Sequence, residues 1–89
     1  MKAVIITAVW CPSCLIMFGR YRDLRRKYPN IGFFEYDYDH DKEAVLAYGV
    51  GKTLPVLILF KDDAEAARFI GEKSLKEIAE KIENIKNAQ

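Results

Sequence analysis

Apolar residues change rhythm several times along this chain, and each rhythm predicts an element. Residues 3–9, AVIITAV, are a nearly unbroken β-branched run, as expected of a strand buried on both faces. From Pro12 to Tyr28, apolar Leu15, Phe18, Tyr21 (or Arg22), Leu24 and Tyr28 return at three- and four-residue steps until Pro29-Asn30 stops them, which predicts a long helix. Ile31 to Asp39 then sets Phe34, Tyr36 and Tyr38 against Glu35, Asp37 and Asp39, the alternation of a half-buried strand. DKEAVLAYG reads as a short helix closed by Gly49. VLILF (Val56 to Phe60) and EAARFI (Glu65 to Ile70) read as strands joined by KDDA into a hairpin, although no glycine serves its tightest turn types. Ser74-Leu75-Lys76-Glu77 has capping-box spacing, and Leu75, Ile78, Ala79, Ile82 and Ile85 draw an apolar stripe down a last helix.

The predicted order is β-α-β-α-β-β-α. A strand, helix and further strand call for a right-handed parallel crossover, and the closing hairpin adds antiparallel strands. The expected result is an α/β fold: a mixed four-stranded sheet flanked by helices. A length of 89 residues allows one core, so one domain over 1–89 is expected.

Charge narrows the partners. Fourteen Lys and Arg against thirteen Asp and Glu leave +1, which gives no global field for nucleic acid or an anionic membrane. The basic stretch Arg20 to Lys27 lies at the C-terminal half of the first predicted helix, where it complements the dipole and faces solvent. The apolar N-terminal run is too short to span a bilayer and lacks a signal-cleavage pattern, so the cytoplasm is the expected compartment. In that reducing setting a close cysteine pair points to redox chemistry or metal rather than a permanent staple.

Both cysteines fall in WCPSC, Trp10 to Cys14, between the first strand and the first helix. Pro12 suits the first helical position because its missing N–H costs nothing there, which makes Cys11 the N-cap. The free amides of Ser13 and Cys14 and the positive end of the helix then favour thiolate over thiol at Cys11. Cys14, one turn on along the same side, can attack a mixed disulfide formed at Cys11. A zinc site is not expected, since beyond the two sulfurs the chain offers only His40, in a predicted loop. DYDHDKE fails as a calcium loop, with Lys42 and Tyr48 where Gly and Glu are needed.

These residues resemble the thioredoxin/glutaredoxin superfamily over almost the whole chain. WCPSC is similar to its Trp-Cys-x-x-Cys, with a Cys-Pro-x-Cys interior closer to glutaredoxins, and YGVGKTLPVLILFKD is similar to the stretch carrying the cis-proline. The resemblance implies a thioredoxin-like fold of glutaredoxin size. It implies a thiol-disulfide oxidoreductase in which Cys11 attacks, Cys14 resolves, and Leu54 presents its backbone to substrate beside a cis Pro55. Trp10, Pro12 and Thr53 complete the expected rim around Cys11.

Departures from the family pattern are also legible. The buried aspartate and the lysine of thioredoxins, which move a proton near the second cysteine, have their matching places at about Ile5 and Phe33, so that relay is expected to be absent. GEKS, Gly71 to Ser74, replaces the glutaredoxin double glycine and acidic residues, so the glutathione features are incomplete. The expected partners are protein disulfides, with a reductase or glutathione restoring the dithiol, no bound cofactor and a monomeric protein. The alternative is a thioredoxin-fold binding module, or a glutaredoxin-like protein holding glutathione or a shared iron-sulfur cluster.

Overall fold

The structure is a computed structural model that describes residues 1–88; Gln89, included in the expected domain, lies outside the described residues. Seven elements follow in order: β1 (Lys2–Thr7), α1 (Pro12–Lys27), β2 (Gly32–Asp37), α2 (Lys42–Ala47), β3 (Val56–Lys61), β4 (Ala64–Ile70) and α3 (Leu75–Asn87). The sheet order is β2-β1-β3-β4, with β1 parallel to β2 and antiparallel to β3, and β3 antiparallel to β4. Order and topology follow the periodicities; β1 and β2 end two residues earlier than expected, whereas β3 runs on to Lys61 and β4 begins at Ala64, each one residue longer.

Alternation along the central strands divides the interior into two layers. Ala3 and Ile5 of β1 and Leu57 and Leu59 of β3 face α1 and α3, packing on Met17, Tyr21, Leu24, Ile78 and Ile82. Val4, Ile6, Val56 and Ile58 face the other way, onto Val45 of α2 and onto Cys11, Cys14 and Leu54. The first helix therefore spans both layers, its body in one and its cysteine end in the other. Its C-terminal half is not wholly solvent-facing, because Arg25 pairs with Glu35 and lies over the Phe33 ring.

The β1–β2 register corrects one expectation. Ile5 stands opposite Glu35, whereas Phe33 stands opposite Ala3. The strand is edge-placed and carries aromatics on both faces, so its hydrophobic alternation does not fix its register. The place beside the apolar Ile5 is thus held by a carboxylate already engaged by Arg25.

The hairpin turn is tighter than its sequence suggests. Asp62 and Asp63 both take left-handed φ, 53° and 66°, and Lys61 pairs directly with Ala64, so two aspartates make a two-residue turn of the primed kind. Asp tolerates this region because its short side chain can bond locally. At the far side, Lys61 Nζ donates to the carbonyls of Ile85, at 2.9 Å, and Ala88, at 3.0 Å, at the C-terminal end of α3. The expected cap of α3 is present, with Ser74 Oγ accepting from the Glu77 amide at 3.1 Å.

Two core tyrosines make stability fall in alkali. Burial, then the Glu83 carboxylate that accepts from its hydroxyl at 2.6 Å, push Tyr28 from 10.0 up to about 12. Burial foremost also raises Tyr21. Each holds its proton more tightly folded than unfolded, so its contribution is complete below pH 10 and is lost as pH climbs towards 12. The loss is at most about 1.4 kcal/mol per tyrosine per pH unit. Urea midpoints should drop between pH 9.5 and 11.5, and Tyr28→Phe should flatten the decline; a midpoint independent of pH would contradict this account.

Candidate functional site

The chain leaves β1 at Thr7 and turns sharply, with the Cys11 amide donating to the Ala8 carbonyl at 3.2 Å. Val9 and Trp10 form the tip of that turn and stand out into solvent, 88% and 57% exposed. Trp10 is held from below rather than buried. Its Nε1 donates to Asp39 Oδ2 at 2.7 Å, and its ring meets Tyr38 edge-on with centroids 6.2 Å apart. Tyr38 is fixed in turn by its amide, which donates to the Thr7 carbonyl at 2.8 Å.

Cys11 is the N-cap of α1 with extended backbone, φ −93° and ψ 111°, and Pro12 opens the helix. The Cys14 amide donates to Cys11 Sγ at 3.2 Å. The sulfur thus meets a backbone N–H at the positive end of the helix dipole, and the first turn of α1 carries no acidic residue. Cys11 is 7% exposed and Cys14 fully covered; both are free thiols. Burial, and next the contact with the Cys11 side chain, push the Cys14 thiol from 9.0 up to about 12, so it stays protonated at neutral pH. The pair is asymmetric: one sulfur at the rim facing an amide, the other deep and neutral.

The opposite wall comes from the segment entering β3. The Leu54–Pro55 peptide bond is cis, as the family resemblance implies. Leu54 is buried among the residues around Cys11 and Cys14, while Thr53 is exposed just before it. The Pro55 carbonyl accepts from the Gly71 amide at 2.8 Å, which joins the β3 entry to the end of β4. Ser13 Oγ, between the cysteines, donates to Glu72 Oε2 at 3.1 Å.

The structure thus gathers Cys11, Cys14, Pro12 and Leu54-Pro55 at one end of the sheet, with Trp10 on the flank. Asp39 and Glu72 were not legible as neighbours of the cysteine turn. Asp39 fell in an acidic run whose plain reading is a helix approach, and Glu72 in a loop fifty-nine residues beyond its partner Ser13. His40, as its predicted loop suggested, is exposed and contacts Asp37 instead. Among the described residues no group of three His, Cys, Asp or Glu side chains is arranged to hold a metal ion.

A family model described as Thioredoxin matches residues 2–84. The chain belongs to the thioredoxin family. A thioredoxin H-type of Fagopyrum esculentum is 31% identical to it over 72 residues, 79% of this chain and 61% of that protein. The solved thioredoxin of Fasciola hepatica superposes with a TM-score of 0.83 at 28% identity, covering 93% of this chain and 78% of that one. The thioredoxin of Trypanosoma brucei brucei superposes with a TM-score of 0.88 at 23% identity, over 98% of this chain and 75% of that one, and so shares the fold. The chain spans less than two thirds of the length of curated relatives it matches, 61% of the Fagopyrum esculentum protein and 62% of the thioredoxin H5 of Oryza sativa. Ile5 and Glu35 stand opposite each other across β1 and β2.

Proposed function

We propose that this chain is a small thiol-disulfide oxidoreductase of protein disulfides, acting by dithiol exchange in one domain. The observation that carries the reading is the Cys14 amide aimed at the Cys11 sulfur on a helix start, with the second thiol one turn deeper. Cys11 thiolate attacks a substrate disulfide sulfur, one half of the substrate leaves as thiolate, and a mixed disulfide remains. Cys14 then loses its proton and attacks Cys11 Sγ, which releases the second half as thiol and closes the Cys11–Cys14 disulfide. Trp10, Pro12, Thr53 and the backbone at Leu54-Pro55 form the docking rim, where an extended segment can add alongside the β3 entry. The exposed Val9 and Trp10 support a partner of protein size.

No organic cofactor enters this scheme. A thioredoxin-type reductase or glutathione restores the dithiol, and the protein works as a monomer in the cytoplasm; no helix among the described residues is long and apolar enough to cross a membrane. Insulin-disulfide reduction, run in parallel with thioredoxin reductase and with glutathione as electron source, tests the reading. Turnover with at least one source is expected, and turnover with neither would refute it.

The high position of the Cys14 thiol sets the pH dependence of release. Where a thiol titrates well above the ambient pH, its thiolate fraction grows about tenfold per pH unit. Attack on the substrate relieves Cys14 of the Cys11 sulfur's charge, but burial, the larger cause, persists. Resolution of the mixed disulfide should therefore accelerate from pH 7 to 9 in stopped-flow measurements, whereas a resolution rate that is flat across this range would contradict it.

A further inference from the structure

The loop Gly71 to Ser74 is fastened at every residue. The Gly71 amide donates to the Pro55 carbonyl at 2.8 Å, Arg20 Nη1 donates to the Lys73 carbonyl at 3.1 Å, and Ser74 caps α3. Gly71 itself takes φ +88°, a left-handed turn that a side chain rarely adopts. Glu72 arrives with its carboxylate on Ser13 Oγ, 3.1 Å away, at the second residue of α1. A carboxylate is thus held against the same helix start that Cys11 caps.

Resting on the thiol-disulfide reading above, we propose that Glu72 is a positioning residue that sets the redox balance of the Cys11–Cys14 pair. Reduction of the protein disulfide by two glutathione thiols yields the dithiol and oxidised glutathione. Of the two protein states only the reduced one has free sulfurs that can take negative charge during exchange, whereas the oxidised one holds both in a neutral bond. The Glu72 carboxylate disfavours the reduced state and leaves the neutral disulfide untouched, so it makes the pair a stronger reductant. The counterpart case is an oxidant made strong because its reduced form is stabilised. The other charges at this end act differently: Asp39 is engaged by the Trp10 indole, and Arg20 is turned away onto the Lys73 carbonyl and the Met17 sulfur.

Glu72→Gln isolates the charge, because the amide oxygen still accepts from Ser13 and a purely structural role would leave the potential unmoved. Equilibration of the purified chain with glutathione redox buffers should show the dithiol favoured about three- to tenfold more in Glu72→Gln than in wild type, the size expected of a single charge acting near a surface. That corresponds to roughly 14–30 mV towards a more oxidising potential. Ser13→Ala, which unfastens the carboxylate, should shift the balance in the same direction by less, and 1 M salt should shrink both effects through screening. A Glu72→Gln potential equal to wild type, or shifted the other way, on a wild-type chain that cycles, overturns this proposal alone. A wild-type chain that forms no Cys11–Cys14 disulfide overturns the functional reading, and this proposal with it.

Discussion

Cys14→Ser should convert the protein into a trap, in which substrate stays joined to Cys11 and turnover falls by about a thousandfold or more, the scale on which an intramolecular partner outruns one from solution. The asymmetry of the pair is the reason. Cys11 stands at the rim with an amide on its sulfur, so capture proceeds without Cys14. Release, by contrast, needs a second sulfur already within reach, and Cys14 is fixed in the buried layer one helical turn away. Cys11→Ser should capture nothing, because the deep thiol that remains is fully covered and stays protonated at neutral pH. Gel shifts of a substrate protein under non-reducing conditions read both outcomes. Wild-type turnover in Cys14→Ser would remove Cys14 from the resolving role.

The second large effect concerns the position that faces Glu35. Installing the acid expected of thioredoxins, Ile5→Asp, should destabilise the protein by about 3–5 kcal/mol, the cost of a buried charge left without compensation. Ile5 is fully buried between α1 and α3, and its cross-strand neighbour is itself an acid already paired with Arg25. Total stability of small domains is about 5–15 kcal/mol, so much of the margin would go. Glu35→Lys in the same chain should recover part of the loss by supplying the missing cation, which a double-mutant cycle from urea unfolding would measure. A loss under 1 kcal/mol for Ile5→Asp alone would show that water or a rearranged Arg25 reaches the site.

These two cases mark where residues could be read without coordinates and where they could not. The β-branched runs of β1 and β3 and the capped stripe of α3 were legible because burial on defined faces leaves a periodic trace. The cysteine turn was legible because proline at the helix start and two sulfurs three residues apart leave few geometries. The facing of Ile5 by Glu35 rather than Phe33 was hidden, since register on an aromatic edge strand depends on tertiary contacts such as Arg25 on Glu35. The aspartate turn at Asp62-Asp63 was hidden for a different reason: both residues adopt a conformation that composition assigns first to glycine. Trp10 was expected at the rim, but the groups that hold it there, the Asp39 carboxylate just past the end of β2 and the Tyr38 ring, were not legible.

The clasp of Lys61 on the end of α3 has a practical consequence. Strand β3 begins next to Pro55 and runs six residues to Lys61, which therefore lies about 20 Å along the strand from Pro55 and grips the helix terminus there. Anything tethered at that terminus, whether a dye, a surface linker or a fused protein, is carried at the opposite pole and leaves the approach to Cys11 open.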